Sequence, residues 1–132
     1  MDNKQRITPN QIRTLDSNEI FVFGSNANGM HGGGAARAAV NHFGAIWGQG
    51  HGLQGQSYAI DSMSGIEPLK KDIADFVAFA RQHSEMRFLV TRIGCGIAGY
   101  KASEMAPLFK DCAELENVTL PADFWRAIEE EK

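Results

Sequence analysis

The sequence predicts an α/β fold in which helices cover both faces of a largely parallel sheet. Short apolar runs typical of buried strands alternate with helical runs along the 132 residues, which is the pattern of parallel α/β folds. A glycine-rich loop follows each of the two strongest strand runs. The length suits one domain, residues 1–132, with its own core. Residues 1–19 are poorly defined, because Ile7, Ile12 and Leu15 fit either a strand or a short helix at the domain edge.

The first half of the chain supplies a strand, a loop and a helix. Residues 20–23 form a short aromatic and β-branched run. The alanine-rich segment 33–43 is helical in composition and stops before Gly44, a residue suited to close a helix. Residues 45–57 interleave glycine with polar residues and indicate a loop, and residues 58–60 offer another short strand.

The second half continues the alternation. Apolar residues recur at three- and four-residue spacing from Glu67 to about His83, which predicts a helix with one face on the sheet. Residues 88–93 form the next strand. Ser103 can cap a helix that runs to about residue 112 or 114. Residues 118–120 make a last strand before a short C-terminal helix.

Composition limits the function classes. The chain has 13 basic and 16 acidic residues, a net charge of -3 and no basic stretch, which argues against general nucleic-acid binding. Cys95 and Cys112 are too few for a disulfide framework, and the N-terminus lacks a signal-peptide core, so we expect a soluble cytoplasmic protein. No segment has the apolar length of a membrane helix. The histidines and cysteines lack zinc-ligand spacing, so we expect no metal and no cofactor.

Two glycine-rich loops carry the main functional signal. The first, residues 24–34, reads GSNANGMHGGG, and the second, residues 94–99, reads GCGIAG. Glycine lets backbone N–H groups turn toward an anion at close range. The first loop leads into a predicted helix, whose N-terminal N–H groups favour an anion. Because both loops lie at the carboxyl ends of strands, we expect them to clamp a diphosphate.

The second loop also matches the GxGxxG pattern of a dinucleotide-binding Rossmann unit. In that unit the third glycine opens a helix at once, and an acidic residue follows about twenty positions later. Here Tyr100, Lys101 and Ala102 separate Gly99 from the predicted cap at Ser103, and the loop lies late in the chain. The Rossmann interpretation is therefore disfavoured.

The ordered pair of loops resembles the macrodomain family, which binds ADP-ribose. In that family an asparagine-containing strand end precedes a glycine run that opens a helix, and a later strand feeds a GxGxxG-like loop around the diphosphate. Asn26 matches the second asparagine of the first motif, and residues 32–34 match its glycine run. Residues 94–99 with Tyr100 match the diphosphate loop. The resemblance covers about residues 20–120 and implies a three-layer α/β/α macro-like fold with a mixed, largely parallel sheet.

This resemblance implies binding of ADP-ribose or a related NAD-derived nucleotide, free or attached to a macromolecule, with no membrane partner. Asn26 would bond a ribose hydroxyl, and Tyr100 would cover the distal ribose. The expected ligand-binding residues are Ser25, Asn26, His31, Gly32, Gly33, Gly34, Gly94, Cys95, Gly96, Ile97, Ala98, Gly99 and Tyr100.

The catalytic side chains of the family are not matched. Macrodomains that hydrolyse mono-ADP-ribosyl esters carry an earlier asparagine and an aspartate after the glycine run, where this chain has Gly24 and Ala36. Residues 35–37 replace the paired glutamates of the poly(ADP-ribose) glycohydrolase branch. The lysine-dependent branch lacks its lysine, because none occurs between Lys4 and Lys70. The catalytic residues are therefore unassigned, and a binding module is the first hypothesis.

A hydrolase with a non-standard catalytic set is the alternative hypothesis. His31 could act as a general base or contact a phosphate, or be an ordinary loop histidine. Cys95 could be a nucleophile if a positive environment lowers its pKa, or a small residue in a tight turn. Asp61 and Arg92 could reach the site, or be a turn residue and an ion-pair partner. The following polar residues fit either a ligand-side wall or a solvent loop: Gln49, His51, Gln54 and Gln56.

Overall fold

The computed structural model describes residues 6–96 and 98–130, and it confirms the predicted α/β class. Within these residues a five-stranded sheet has the strand order β2-β3-β1-β4-β5. The strands are β1 (Glu19–Ser25), β2 (Gly52–Gln54), β3 (Ser57–Asp61), β4 (Arg87–Val90) and β5 (Val118–Thr119). β1 pairs in parallel with β3 and β4, and β4 pairs in parallel with β5, whereas β2 is antiparallel to β3 at the edge. The sheet is thus mixed and largely parallel, as predicted.

Helices cover both faces of this sheet. They are α1 (Gly34–His42), α2 (Ile66–Gln82), α3 (Ala102–Met105), which continues as a 3₁₀ helix (Ala106–Glu114), and α4 (Ala122–Glu130). In the part of the chain that the structure describes, none of them has the length and apolar character needed to cross a bilayer.

The two faces of the sheet have separate cores, because successive side chains of a strand point to opposite sides. On one side Phe21 and Phe23 pack against α1 and the residue that follows it, with the Phe21 and Phe43 ring centroids 4.7 Å apart. On the other side Ile20 and Val22 belong to a larger core that includes residues of α2, the 3₁₀ helix and α4. Together the layers make the predicted α/β/α arrangement.

One strand was missed by the sequence prediction. Residues 52–54 form β2 inside the stretch 45–57, for which we expected a loop. Its register places Leu53 opposite Tyr58 of β3. Three residues that include only one large apolar side chain are too short to show the alternation by which strands are recognised.

Several element ends also differ from the sequence prediction. The strand expected over residues 88–93 ends at Val90. The helix expected to be capped at Ser103 begins at Ala102, and the Glu104 carboxylate accepts a hydrogen bond of 2.9 Å from the N–H of Lys101. Pro107 has no N–H to continue the α-helical ladder, which explains the change to a 3₁₀ helix after Met105.

The N-terminal segment extends the edge of the sheet beyond β5. Ile7 forms a parallel bridge with Leu120. The N–H of Thr8 donates to the carbonyl of Leu120 at 2.9 Å, and the N–H of Leu120 donates to the carbonyl of Arg6 at 3.0 Å. The Arg6 guanidinium also lies over the Trp125 ring, 5.0 Å from its centroid. This pairing holds the start of the described chain against its last strand.

Candidate functional site

A cleft of about 1030 Å³ opens at the carboxyl ends of β1, β3 and β4. Its volume is near the upper end of the range for small-molecule sites, roughly 300–1,000 Å³. The described residues that line it include the glycine run 32–34, parts of the second glycine-rich loop and residues 8–13. The two loops that the sequence predicted to share a site therefore line the same cleft.

The start of α1 provides an anion-binding end of the cleft. In the described part of the chain no side chain caps this helix, and its first turn has no acidic residue. Because the first N–H groups of a helix have no partner within it, those of α1 can bind an external anion. Among the described residues, and apart from the adjoining backbone, no atom lies within 4 Å of the positions that a Cβ would occupy at Gly32, Gly33 and Gly34. A ligand can thus approach this backbone closely.

Three hydroxyl residues form the floor of the cleft. Ser25, Ser62 and Thr91 lie at or just beyond the carboxyl ends of β1, β3 and β4, and all three line the cleft. The Ser62 hydroxyl donates to the carbonyl of Ser25 at 3.3 Å, and the Thr91 hydroxyl donates to the carbonyl of Val22 at 2.8 Å. Since each of these hydrogens is already used, Ser62 and Thr91 can offer a ligand only acceptor lone pairs. Sequence reasoning missed both residues.

His31 lies behind Ser25 and outside the wall of the cleft. Its Nδ1 is 2.6 Å from the Ser25 hydroxyl, and its Nε2 is 2.8 Å from the carbonyl of Ile46. The side chain is only 1% exposed. Its ring also makes edge contacts with the rings of Phe23 and Trp47, at centroid distances of 5.1 and 6.2 Å. The phosphate contact expected from the sequence would therefore have to pass through Ser25.

Asn26 stabilises the first glycine-rich loop through two hydrogen bonds. Its Nδ2 donates to the carbonyl of Met30, and its Oδ1 accepts from the N–H of Met30, both at 2.9 Å. The loop also packs backbone against backbone, because the N–H of Gly48 donates to the carbonyl of Gly29 at 2.8 Å. A Cβ at Gly29 would lie 2.3 Å from the nitrogen of Gln49. The amide predicted to bind a ribose hydroxyl is thus engaged within the loop, although Asn26 does line the cleft.

The glutamines of the stretch 45–57 support the fold and do not form a ligand-side wall. Gln54 is buried, accepts from the N–H of Ile46 at 2.7 Å and donates to the carbonyl of Gln49 at 3.1 Å. Gln56 donates to the carbonyl of Asp16 at 2.9 Å. Among the described residues that line the large cleft, none lies between positions 43 and 61.

The second loop is closed by its own hydrogen bonds. The N–H of Tyr100 donates to the carbonyl of Gly94 at 2.8 Å, and the N–H of Gly99 donates to the carbonyl of Gly96 at 3.0 Å. Gly94 has φ +80°, and a Cβ there would lie 2.8 Å from the sulfur of Met105. Gly96 faces open space on the cleft wall. Packing therefore requires glycine at position 94, whereas position 96 has room for a side chain.

Other predicted residues of this loop have different positions. Ala98 lines the cleft, Ile97 lies outside the described residues, and Cys95 and Tyr100 pack against the larger of the two cores. Burial raises the pKa of Cys95, and the nearby Arg92 only partly opposes this shift. An activated thiolate needs a lowered pKa, so the idea of Cys95 as a nucleophile does not fit.

The side chains on the cleft wall give it a positive character. Arg13 and Arg92 line the cleft, and no aspartate or glutamate is among its described lining residues. Arg92 also pairs with Asp123 at 2.9 Å, whereas Asp61 is the last residue of β3 and its carboxylate accepts from the N–H of Met63 at 3.0 Å. No protein-family model, curated protein or solved structure matches the chain. The interpretation of the cleft therefore depends on its own geometry and chemistry.

Proposed function

We propose that the protein binds ADP-ribose or a related NAD-derived nucleotide in the cleft at the carboxyl ends of β1, β3 and β4. The charge of the cleft carries this proposal. Its described lining has Arg13, Arg92, which is paired with Asp123, and no carboxylate, in a chain whose net charge is -3. This distribution favours an anionic ligand at this place on the surface.

The diphosphate of such a ligand would lie at the glycine run. The first-turn N–H groups of α1 and the open space above residues 32–34 suit a group with two negative charges. Gly96 and Ala98 of the second loop line the same cleft and can contact the diphosphate as well. Arg13, from the N-terminal segment, adds a cation that the sequence did not single out.

The floor of the cleft suits the sugar part of the ligand. The lone pairs of Ser62 and Thr91 accept hydrogen bonds and repel phosphate oxygens, so this surface selects hydroxyl groups. A nucleotide that joins a diphosphate to a ribose matches both the N–H donors at the start of α1 and the acceptor oxygens of Ser62 and Thr91. The macrodomain resemblance names one such ligand, ADP-ribose. The partner is thus either the free nucleotide or an ADP-ribosylated macromolecule, and we also propose a cytoplasmic location.

Calorimetric titration with ADP-ribose, with NAD and ADP as comparators, tests this function. The matched variant is Gly33→Val, because Gly33 has φ −153° and no protein atom lies where the new side chain begins. We expect unchanged thermal stability and affinity for ADP-ribose reduced by at least about tenfold, since the valine occupies the ligand's space. Ala74→Val, on the exposed face of α2, is the control and should bind like the wild type.

Two results would contradict the proposal. One is the absence of heat with ADP-ribose up to millimolar concentration. The other is wild-type affinity in a folded Gly33→Val variant, which would mean that the nucleotide does not lie against the glycine run.

A further inference from the structure

We propose that the part of the cleft beside α1 binds the apolar chain of a diphosphate ester, such as a prenyl diphosphate. This part, which we call the side arm, is lined by Ile12, Phe21, Ala35, Ala38 and His42. The proposal goes beyond nucleotide binding. It shares with the proposed function only the position of the diphosphate, at the start of α1.

The side arm runs from the carboxyl edge of the sheet down the face that α1 covers. Phe21 and Ser25 are on the same face of β1 and both line the cleft. Four strand residues at about 3.3 Å each separate them by roughly 13 Å. α1 returns beside this strand, because Phe43 follows its last residue and stacks on Phe21 at a centroid distance of 4.7 Å. From Gly34 to His42 the helix rises about 12 Å, which agrees with the estimate from the strand.

The walls of the side arm are apolar. Ala35 and Ala38 are on one side of α1, and their short side chains leave the space beside the helix open. Ile12, in the N-terminal segment opposite, packs against the smaller core of the sheet. Phe21 lies at the bottom and is 4% exposed. The space between these walls is therefore narrow and suits a slender chain.

The polar side chains of this region lie at its margin. Gln11, Arg13 and His42 line the cleft and are all exposed. A sugar or amide placed between Ile12 and Ala38 would lose hydrogen bonds to water, and the apolar walls could not replace them. A hydrocarbon chain gains there, because each buried CH2 raises affinity by about three- to fourfold.

The other end of the side arm meets the anion-binding start of α1. The first-turn N–H groups of α1 and the open backbone of residues 32–34 suit a diphosphate. No carboxylate is present among the described residues of the whole lining, so the charge of the cleft complements an anionic head group. A diphosphate joined to an apolar chain matches both ends. Since its head group would occupy the position proposed for the diphosphate of ADP-ribose, the two ligands should compete.

Calorimetric titration of the wild-type protein with a series of chain lengths tests the side arm. The probes are inorganic diphosphate and dimethylallyl, geranyl and farnesyl diphosphates. Affinity should rise with chain length and be at least about tenfold higher for geranyl than for inorganic diphosphate. It should then stay within about threefold for farnesyl diphosphate, because the added carbons extend beyond Phe21 and His42 into water.

Two results of this series would overturn the proposal. One is equal affinity for geranyl and inorganic diphosphate, which would mean that the chain stays in water. The other is a further tenfold gain or more with farnesyl diphosphate, which would place the chain on a longer surface than the side arm.

Ala38→Phe tests the position of the chain by filling the side arm. We expect affinity for geranyl diphosphate to fall to within about threefold of that for inorganic diphosphate, whose own affinity stays unchanged. Asn41→Phe is the matched control, because Asn41 is an exposed residue of α1 outside the cleft lining. It should bind both probes like the wild type. Thermal unfolding shows whether both variants are folded, and wild-type affinity for geranyl diphosphate in a folded Ala38→Phe variant overturns the proposal.

The outcomes separate this proposal from the proposed function. If ADP-ribose binds but geranyl diphosphate binds no better than inorganic diphosphate, the side arm fails and nucleotide binding stands. If geranyl diphosphate binds and is sensitive to Ala38→Phe but ADP-ribose does not bind, the side arm stands and the proposed function fails. If both bind, geranyl diphosphate should displace ADP-ribose, and simultaneous binding of the two ligands would overturn the shared diphosphate position.

Discussion

Two glycines of the second loop have different roles at the scale of single residues. Gly94 is at φ +80° with the sulfur of Met105 2.8 Å from its would-be Cβ, whereas Gly96 has open space. We expect Gly94→Ala to lower the free energy of unfolding by about 1–3 kcal/mol, because it combines backbone strain with a close contact. Gly96→Ala is the control and should leave this free energy within about 0.5 kcal/mol. Urea unfolding measures the free energy of unfolding of both variants, and equal values would contradict this prediction.

Two buried groups that lose a proton at high pH, the Cys112 thiol and the Tyr58 hydroxyl, make the free energy of unfolding depend on pH. Burial raises the pKa of Cys112 to about 12 and that of Tyr58 to about 12. Both groups hold their protons more tightly in the folded state, so their contribution is complete below the unfolded pKa values, roughly 8.5 and 10, and is lost as the pH rises toward the folded ones. We expect the free energy of unfolding to fall with pH above about 9, by at most about 1.4 kcal/mol per pH unit for each group.

Urea unfolding between pH 8 and 11 measures this slope. Cys112→Ala removes one of the two groups, so its stability should fall less steeply with pH, although its starting value is lower because a buried side chain is shortened. If the free energy of unfolding of Cys112→Ala falls with pH as steeply as that of the wild type, Cys112 does not contribute to the pH dependence.

Two residues of the cleft floor could have been found from the sequence. Ser62 and Thr91 follow or end predicted strands, and polar residues at such positions are expected to face a ligand. The burial of His31 could not have been found, because one of its hydrogen-bond partners is the backbone carbonyl of Ile46, 15 positions away. No side-chain pattern records that contact.

At the scale of elements, the N-terminal segment is both a sheet edge and a cleft wall. The Arg6 guanidinium donates to the carbonyl of Ala113 at 2.9 Å and covers Trp125. We expect Arg6→Ala to lower the free energy of unfolding by about 2–3 kcal/mol, since hydrogen bonds from a charged group are lost. Because residues 8–13 line the cleft, affinity for ADP-ribose should fall as well.

Denaturant unfolding and calorimetry check the two effects of this substitution. Arg126→Ala, an exposed arginine of α4, is the control and should change neither. Wild-type affinity for ADP-ribose in the Arg6→Ala variant would mean that residues 8–13 keep their position at the cleft without the contacts of Arg6.

The elements found from the sequence are those with a strong period or composition. The α2 helix spans Ile66–Gln82, close to the predicted range, because its apolar face repeats over four turns. The closing glycine of α1 was also predicted correctly, and Gly44 has φ +76°. In contrast, β2 is only three residues long, and the pairing of residues 6–8 arises from contact with the distant residue Leu120, so local patterns reveal neither.

At the scale of the whole molecule, charge is distributed unevenly, with a positive cleft in an acidic chain. We expect affinity for ADP-ribose to decrease as salt is added, because ions screen the attraction between Arg13 and the diphosphate. Arg13→Gln should weaken binding by about two- to fivefold, as for a partly exposed ion pair, and should reduce the salt dependence. Adenosine, which has no phosphate, is the control ligand, and equal salt dependence for both ligands would contradict this prediction.

The contact between residues 6–8 and the end of β5 also has a consequence for synthesis of the protein. A ribosome produces residues 8–13 more than a hundred positions before Leu120, the residue whose backbone pairs with this segment. Until that strand has emerged, the nascent chain has no complete cleft wall. Under the proposed function, chains that stop before residue 118 should therefore not bind ADP-ribose.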